Sequence, residues 1–207
     1  MIVVDIETSG LDFDKCGIWQ IGAIDLESMG EFLEECRIDD EDKILNSNAP
    51  TDRPVLEIIG KTKEQLRDKS KQSQRELLEH FFKWCERIRI KNCICQNPQF
   101  DLGFICTKSN KYRLKMPIHH RAFDVHSLAS LKYFQLNNKF LIKEEHSDMG
   151  LTNTLDFCGI KDNRGAHNAL EDAKLTAECF SRLVYGKGLF PEYSKFKIPN
   201  YLQNDNL

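Results

Sequence analysis

The sequence predicts an α/β domain whose mixed β-sheet carries helices on its faces. Two observations lead there. Short apolar runs at residues 1–4, 18–26 and 93–95 read as strands, and stretches of helical periodicity follow and separate them. No Pro/Gly/Ser-rich linker, internal repeat or low-complexity tract divides the 207 residues, so the elements belong to one unit with helices packed on a sheet.

Each element has its own grounds. Residues 1–4 form an apolar strand, which Asp5-Ile6-Glu7 ends and Thr8-Ser9-Gly10 punctuates. Residues 18–26 alternate partially and give a second strand. Residues 25–42 carry nine carboxylates and one Arg, which reads as a solvated hairpin and loop. Residues 46–52 are turn-rich. Thr62 and Gln65 have the spacing of a capping box. Residues 73–88 place Leu77, Phe81, Trp84 and Ile88 on one helical face. Residues 93–95 form a strand broken at Asn97-Pro98, and a helix starts at residues 102–107. Residues 123–131 pass from strand to helix. Residues 152–158 form a short helix stopped by Gly159. The last helix spans residues 168–185, with Leu170, Ala173, Ala177, Phe180 and Val184 at helical spacing. The tail, residues 186–207, is rich in Pro, aromatic and amide residues. It reads as an irregular extension packed on the domain and frayed after Tyr201.

Composition narrows the function classes. Lys and Arg total 29 against 32 Asp and Glu, and the hydrophobic fraction is 41%. That balance argues against holding nucleic acid by bulk charge alone, although bound cations can supply local positive charge. The eight cysteines contain no C-x-x-C pair, so they read as reduced, mostly buried hydrophobes rather than zinc ligands. No run reaches the length of a membrane span and no basic leader opens the chain. A cytoplasmic protein without membrane association is expected.

Five residues carry chemistry. Asp5 and Glu7 stand two apart on a strand and so share one face. Acids at the end of an apolar strand need a rim position or a cation. Asp101 lies between Phe100 and Leu102, where it either caps the next helix or joins such a site. His167 and Asp172 are five apart, too far to share a helical face, so His167 precedes the helix and Asp172 flanks its apolar stripe. Singly, each has an ordinary structural reading. Together, four carboxylates from a first strand, a middle helix start and a last helix can hold two hard divalent cations, Mg²⁺ or Mn²⁺. A histidine beside them suits proton transfer near neutral pH.

The ordered set Asp-x-Glu, Asp, His-x-x-x-x-Asp resembles the DEDDh 3′–5′ exonucleases, the superfamily of polymerase proofreading exonucleases, RNase T and oligoribonuclease. The first motif is Val4-Asp5-Ile6-Glu7-Thr8-Ser9-Gly10-Leu11. The second is Gln96-Asn97-Pro98-Gln99-Phe100-Asp101, and the third Ala166-His167-Asn168-Ala169-Leu170-Glu171-Asp172-Ala173. Ile59-Gly60-Lys61-Thr62 is similar to a segment common between the first two. The resemblance spans residues 1–185 and implies a ribonuclease H-like fold with a five-stranded mixed sheet. It implies release of nucleoside 5′-monophosphates from 3′ ends of single-stranded DNA or RNA. It implies metal-binding roles for Asp5, Glu7, Asp101 and Asp172, with His167 as general base. Thr8, Ser9 and Gly10 would lie beside the terminal nucleotide, and Leu11 would pack on its base. Ile59, Asn97 and Phe100 are further substrate-binding positions. Ile59 and Gln96 stand where many relatives carry His, which marks a difference along the substrate path. Two basic stretches, Lys108, Lys111, Arg113, Lys115 and Arg121 with His119, His120 and Tyr112, and Lys61, Lys63, Arg67, Lys69 and Lys71, are candidate backbone-binding paths. A non-catalytic module gripping 3′ ends, or serving a polymerase, is the competing reading. Homodimerisation and a polymerase partner are left open by the sequence.

Overall fold

The computed structural model of the chain describes residues 1–45, 55–165 and 167–203. The turn-rich segment at 46–52 lies outside them. Three antiparallel strands open the fold: β1 (Ile2–Thr8), β2 (Ile18–Asp25) and β3 (Glu31–Glu35). Short helices α1 (Val55–Ile59) and α2 (Lys63–Leu66) and the longer α3 (Gln74–Glu86) follow. Strand β4 (Cys93–Cys95), helix α4 (Pro98–Tyr112), strand β5 (Ala122–Asp124) and helix α5 (Val125–Asn137) complete the sheet and its middle layer. A small hairpin, β6 (Ile142–Lys143) and β7 (His146–Ser147), precedes α6 (Leu151–Phe157) and α7 (Ala169–Tyr185). The sheet order is β3-β2-β1-β4-β5, with β4 and β5 parallel to β1. This is the five-stranded mixed sheet flanked by helices, and the α/β class predicted from the element order.

Alternation along β1 decides where the chemistry goes. Ile2, Val4 and Ile6 enter the core shared with α3 and α4, while Val3 enters the opposite core with α5, α6 and α7. Asp5 and Glu7 share the parity of Val3 and therefore face α7. The strand does not end at Asp5, as its polarity suggests. It runs to Thr8, because β2 supplies ladder partners opposite Asp5 (Gly22) and Glu7 (Gln20).

The N-terminus of α7 is pinned over those two acids. Asn168 caps it, its Oδ1 accepting from the amides of Leu170 and Glu171 at 3.1 Å. Gln20 Oε1 accepts the Ala169 amide at 2.8 Å. The helix crosses β2 at Gly22, where a Cβ would lie 2.1 Å from the Leu170 nitrogen. Gly22→Ala is therefore expected to destabilise by at least about 3 kcal/mol, measured as a lowered denaturation midpoint. An unchanged midpoint would contradict this packing.

One helix start differs from expectation. Helix α4 begins at Pro98, not near residue 102: Pro98 occupies the first turn, where a missing N–H costs nothing. Asp101 thus lies inside the helix and is no cap. Helix α3 starts on a second capping box, Ser73 with Glu76, and the box at Thr62 and Gln65 is formed.

The acidic stretch is not all solvated. Asp25 and Asp42 are buried, and Asp42 receives Lys108 Nζ at 2.9 Å and Gln74 Nε2 at 2.5 Å. The C-terminal extension is tied down by the buried Glu178–Arg182 pair. Glu178 Oε2 accepts the Leu189 and Phe190 amides, and Arg182 donates to the carbonyls of Cys158 and Tyr193. Fraying after Tyr201 is not seen at Leu202, which is buried; residues 204–207 lie outside the described part. All eight cysteines are free, seven buried and Cys106 exposed. Among the described residues, no helix is long and apolar enough to cross a membrane.

Candidate active site

The C-terminal half of β1, the N-terminus of α7 and the start of α4 meet at one cavity of about 320 Å³. Its floor is acidic: Asp5, Glu7 and Asp172, with His167 and Arg164 at the side. Its wall is apolar, formed by Leu11, Ile58, Ile59, Phe100 and Leu151. Glu7, His167 and Asp172 each present a ligand atom within 4.8 Å of the others. His167 Nδ1 lies 3.6 Å from Asp172 Oδ2 and 3.8 Å from Glu7 Oε1. Asp101 lies deeper and does not line the cavity, but its charge acts directly on Asp5.

Burial and mutual repulsion dominate the electrostatics. Burial first, then the charges of Asp101, Asp172 and Glu7, push the Asp5 carboxyl well above the carboxylate range. Burial raises Glu7 to about 7, with Asp172 adding and His167 opposing. Burial likewise raises Asp101 to about 7, against hydrogen bonds from backbone amides. The neighbouring Asp172 carboxylate raises His167 above its ordinary value, burial opposing and Glu7 reinforcing. Glu7 Oε1 is buried without a hydrogen-bond partner. Clustered hard oxygen donors, one of them orphaned, fit a hard divalent cation.

The predicted substrate-binding positions divide. Thr8, Gly10, Leu11, Ile59 and Phe100 line the cavity. Leu11 is 56% exposed at its mouth. Gly10 is required by close approach: a Cβ there would sit 2.7 Å from Cys16 Sγ and 2.8 Å from the Leu45 carbonyl. Ser9 is turned away; its Oγ donates to the Lys43 carbonyl and accepts from the Gly17 amide. Asn97 is exposed and outside the cavity lining.

Neither basic stretch lines the cavity. Lys108 is buried against Asp42, and Lys111 pairs with Asp39 and Glu41. Tyr112 donates its hydroxyl hydrogen bond to Asp39. Lys61 and Lys71 both pair with Glu35, and Arg67 donates to the carbonyls of Asp39, Asp40 and Asp42. These five cations are engaged by the acidic hairpin and loop, while Lys63, Lys69, Arg113, Lys115 and Arg121 are exposed. Sequence reasoning missed Ile58, Leu151 and Arg164. Helix α1, which presents Ile58, is only five residues long, too short for periodicity to show. Arg164 sits in a polar loop, and its one signal is a position three residues before His167.

Comparison with known proteins agrees with this arrangement. The family model described as RNase T, exonuclease, matches residues 2–180. Ribonuclease T of Vibrio parahaemolyticus serotype O3:K6 (strain RIMD 2210633) is 26% identical over 208 residues, covering 88% of this chain and 84% of that protein. In structure, the chain is similar to the nuclease domain of 3′hExo, a DEDDh family member solved with rAMP. The TM-score is 0.63 at 14% identity, covering 96% and 94% of the two chains. It is also similar to E. coli ExoI solved with single-stranded DNA and zinc. There the TM-score is 0.64 at 17% identity, covering 89% of this chain and 40% of that one. With the family model spanning both ends of the carboxylate cluster, the chain belongs to the RNase T exonuclease family, enzymes of the DEDDh 3′–5′ exonuclease superfamily.

Proposed function

We propose that this exonuclease hydrolyses the terminal phosphodiester at the 3′ end of single-stranded DNA or RNA and releases nucleoside 5′-monophosphates. Two divalent cations, Mg²⁺ or Mn²⁺, would be held by Asp5, Glu7, Asp101 and Asp172. The observation that carries the reading is the convergence of Glu7, His167 and Asp172 within 4.8 Å beside half-buried Asp5 and buried Asp101. When bound, the cations would lower the pKa of a water and offset charge developing on the phosphate.

The chain's own residues supply the rest. His167 turns Nδ1 towards Asp172 and Glu7, at 3.6 and 3.8 Å, which leaves Nε2 as the nitrogen to take a proton from the attacking water. Its side chain is 45% exposed, so the proton can pass on to solvent. Leu11, Ile59 and Phe100 give the terminal base an apolar surface, and Phe100 is braced edge-on by Phe104 at 5.1 Å.

The test is a parallel digestion of matched, end-labelled DNA and RNA single strands of several lengths with Mg²⁺, with Mn²⁺ and with EDTA. Metal-dependent shortening from the 3′ end is expected. A folded sample that shortens neither would overturn the reading. His167→Gln is expected to lower kcat by about 10²–10⁴-fold while keeping the metal-induced rise in Tm. Unchanged kcat would remove His167 from proton transfer.

A further inference from the structure

Among the described residues Arg164 is the one permanent cation in the cavity lining, and nothing in the three motifs accounts for it. It stands between the site cavity and a neighbouring one lined by Thr152, Asp162, Arg164, Gly165, His167 and Asp172. Its side chain is 15% exposed, and all three guanidinium nitrogens donate hydrogen bonds. Nη1 donates to Asp172 Oδ1 at 3.0 Å. Nε and Nη2 make a fork on Asp162, at 3.0 Å to Oδ1 and 2.8 Å to Oδ2. Nη2 also reaches Thr152 Oγ1 at 2.9 Å, and that hydroxyl donates to Asp162 at 2.9 Å. Asp162 and Thr152 do not line the site cavity, so they act on it only through Arg164.

This bracing has two consequences for Asp172. With Oδ1 taken by Arg164, Oδ2 is the oxygen left towards His167 and Glu7. And a fixed positive charge sits within contact distance of a cluster of four acids that repel one another. We infer that Arg164 is a positioning residue for Asp172: braced by Asp162 and Thr152, it orients that carboxylate for catalysis, and its charge raises the divalent-metal concentration the site needs. The inference rests on the metal-dependent reading above.

The two effects separate in measurement. Removing the charge should tighten metal binding, because a unit cation close to a divalent one opposes it strongly at the low effective dielectric of a buried site. Losing the fork should lower kcat, because Asp172 is no longer held. Full-length wild type, Arg164→Gln, Arg164→Lys and Asp162→Asn are compared by two readouts. One is Mn²⁺ binding, from electron paramagnetic resonance and from the metal-induced rise in Tm. The other is kcat and KM on a single-stranded oligonucleotide at saturating Mn²⁺.

For Arg164→Gln the half-saturating Mn²⁺ is expected to fall by at least about tenfold. Its kcat is expected to fall by about 10–100-fold with KM within about threefold of wild type. Arg164→Lys keeps the charge and loses the fork. It should restore the metal requirement but not kcat. Asp162→Asn should lower kcat in the same direction by a smaller factor. Wild-type metal binding and kcat in Arg164→Gln would overturn the inference. So would a raised KM with unchanged kcat, the signature of a direct substrate contact. If wild type binds Mn²⁺ but cleaves nothing, the nuclease reading fails, and the Mn²⁺ titrations still decide the charge effect of Arg164.

Discussion

Asp5→Asn is expected to abolish metal-dependent cleavage and, at the same time, to raise the melting temperature of the metal-free protein. Both follow from one position. Asp5 lies at the centre of the cluster, where burial and the charges of Asp101, Asp172 and Glu7 all act against its ionised form. Replacing it by the isosteric amide removes that repulsion, which should stabilise the EDTA-treated protein by about 1 kcal/mol, or about 2–4 °C at this chain length. The same change removes an oxygen charge from the place the cations would occupy, and kcat should fall by at least about 10³-fold. The metal-induced rise in Tm should shrink with it. Retained cleavage would refute the metal role of Asp5.

A pH series sharpens the result. In the metal-free protein Glu7 and Asp101 are held up at about 7, above their values in the unfolded chain. Groups raised in this way contribute stability that is complete below the ordinary carboxylate range and is lost as pH rises through about 7. The metal-free wild type should therefore lose Tm between about pH 5 and pH 8, and Asp5→Asn should lose less. A flat profile in EDTA would mean that burial and mutual repulsion do not hold these acids above the ordinary carboxylate range.

Much of this site was legible because strand parity is a strict rule. Two acids at a spacing of two must share a face, and the apolar partners of β1 state which face is polar. The pairing of His167 with Asp172 was harder. A spacing of five excludes a shared helical face, and only the cap at Asn168 shows how a residue before the helix and one in its first turn reach the same cavity. The basic stretches were ambiguous for a physical reason. Charge along a sequence does not say whether a lysine faces solvent, substrate or an acid 66 residues away, and Lys108 faces Asp42. Arg164 and helix α1 were invisible because each is a single turn or loop residue. Their roles come from long-range contacts, which no local period encodes.

Lys108→Met is the complementary experiment, with its largest effect on stability rather than on turnover. Lys108 and Asp42 are 1% and 3% exposed, and their contact at 2.9 Å ties α4 to the loop after β3. Asp42 Oδ2 also accepts from Gln74 Nε2 and from the Asp39 amide, and Gln74 Oε1 accepts the Ile18 amide. One buried carboxylate therefore joins β2, the acidic loop, α3 and α4. Met fills most of the volume of the lysine stem but leaves the buried Asp42 charge with Lys111 as its nearest cation, 3.9 Å away and already shared by Asp39 and Glu41. The expected loss is about 3–5 kcal/mol, read as a lowered denaturation midpoint. Adding Asp42→Leu should recover a large part of it, since both charges are then gone and no ion is stranded. Turnover measured well below Tm should stay near wild type, because Lys108 lies outside the cavity lining. An unchanged midpoint combined with a raised KM would reverse this assignment and return Lys108 to the substrate path that its neighbours in sequence suggest.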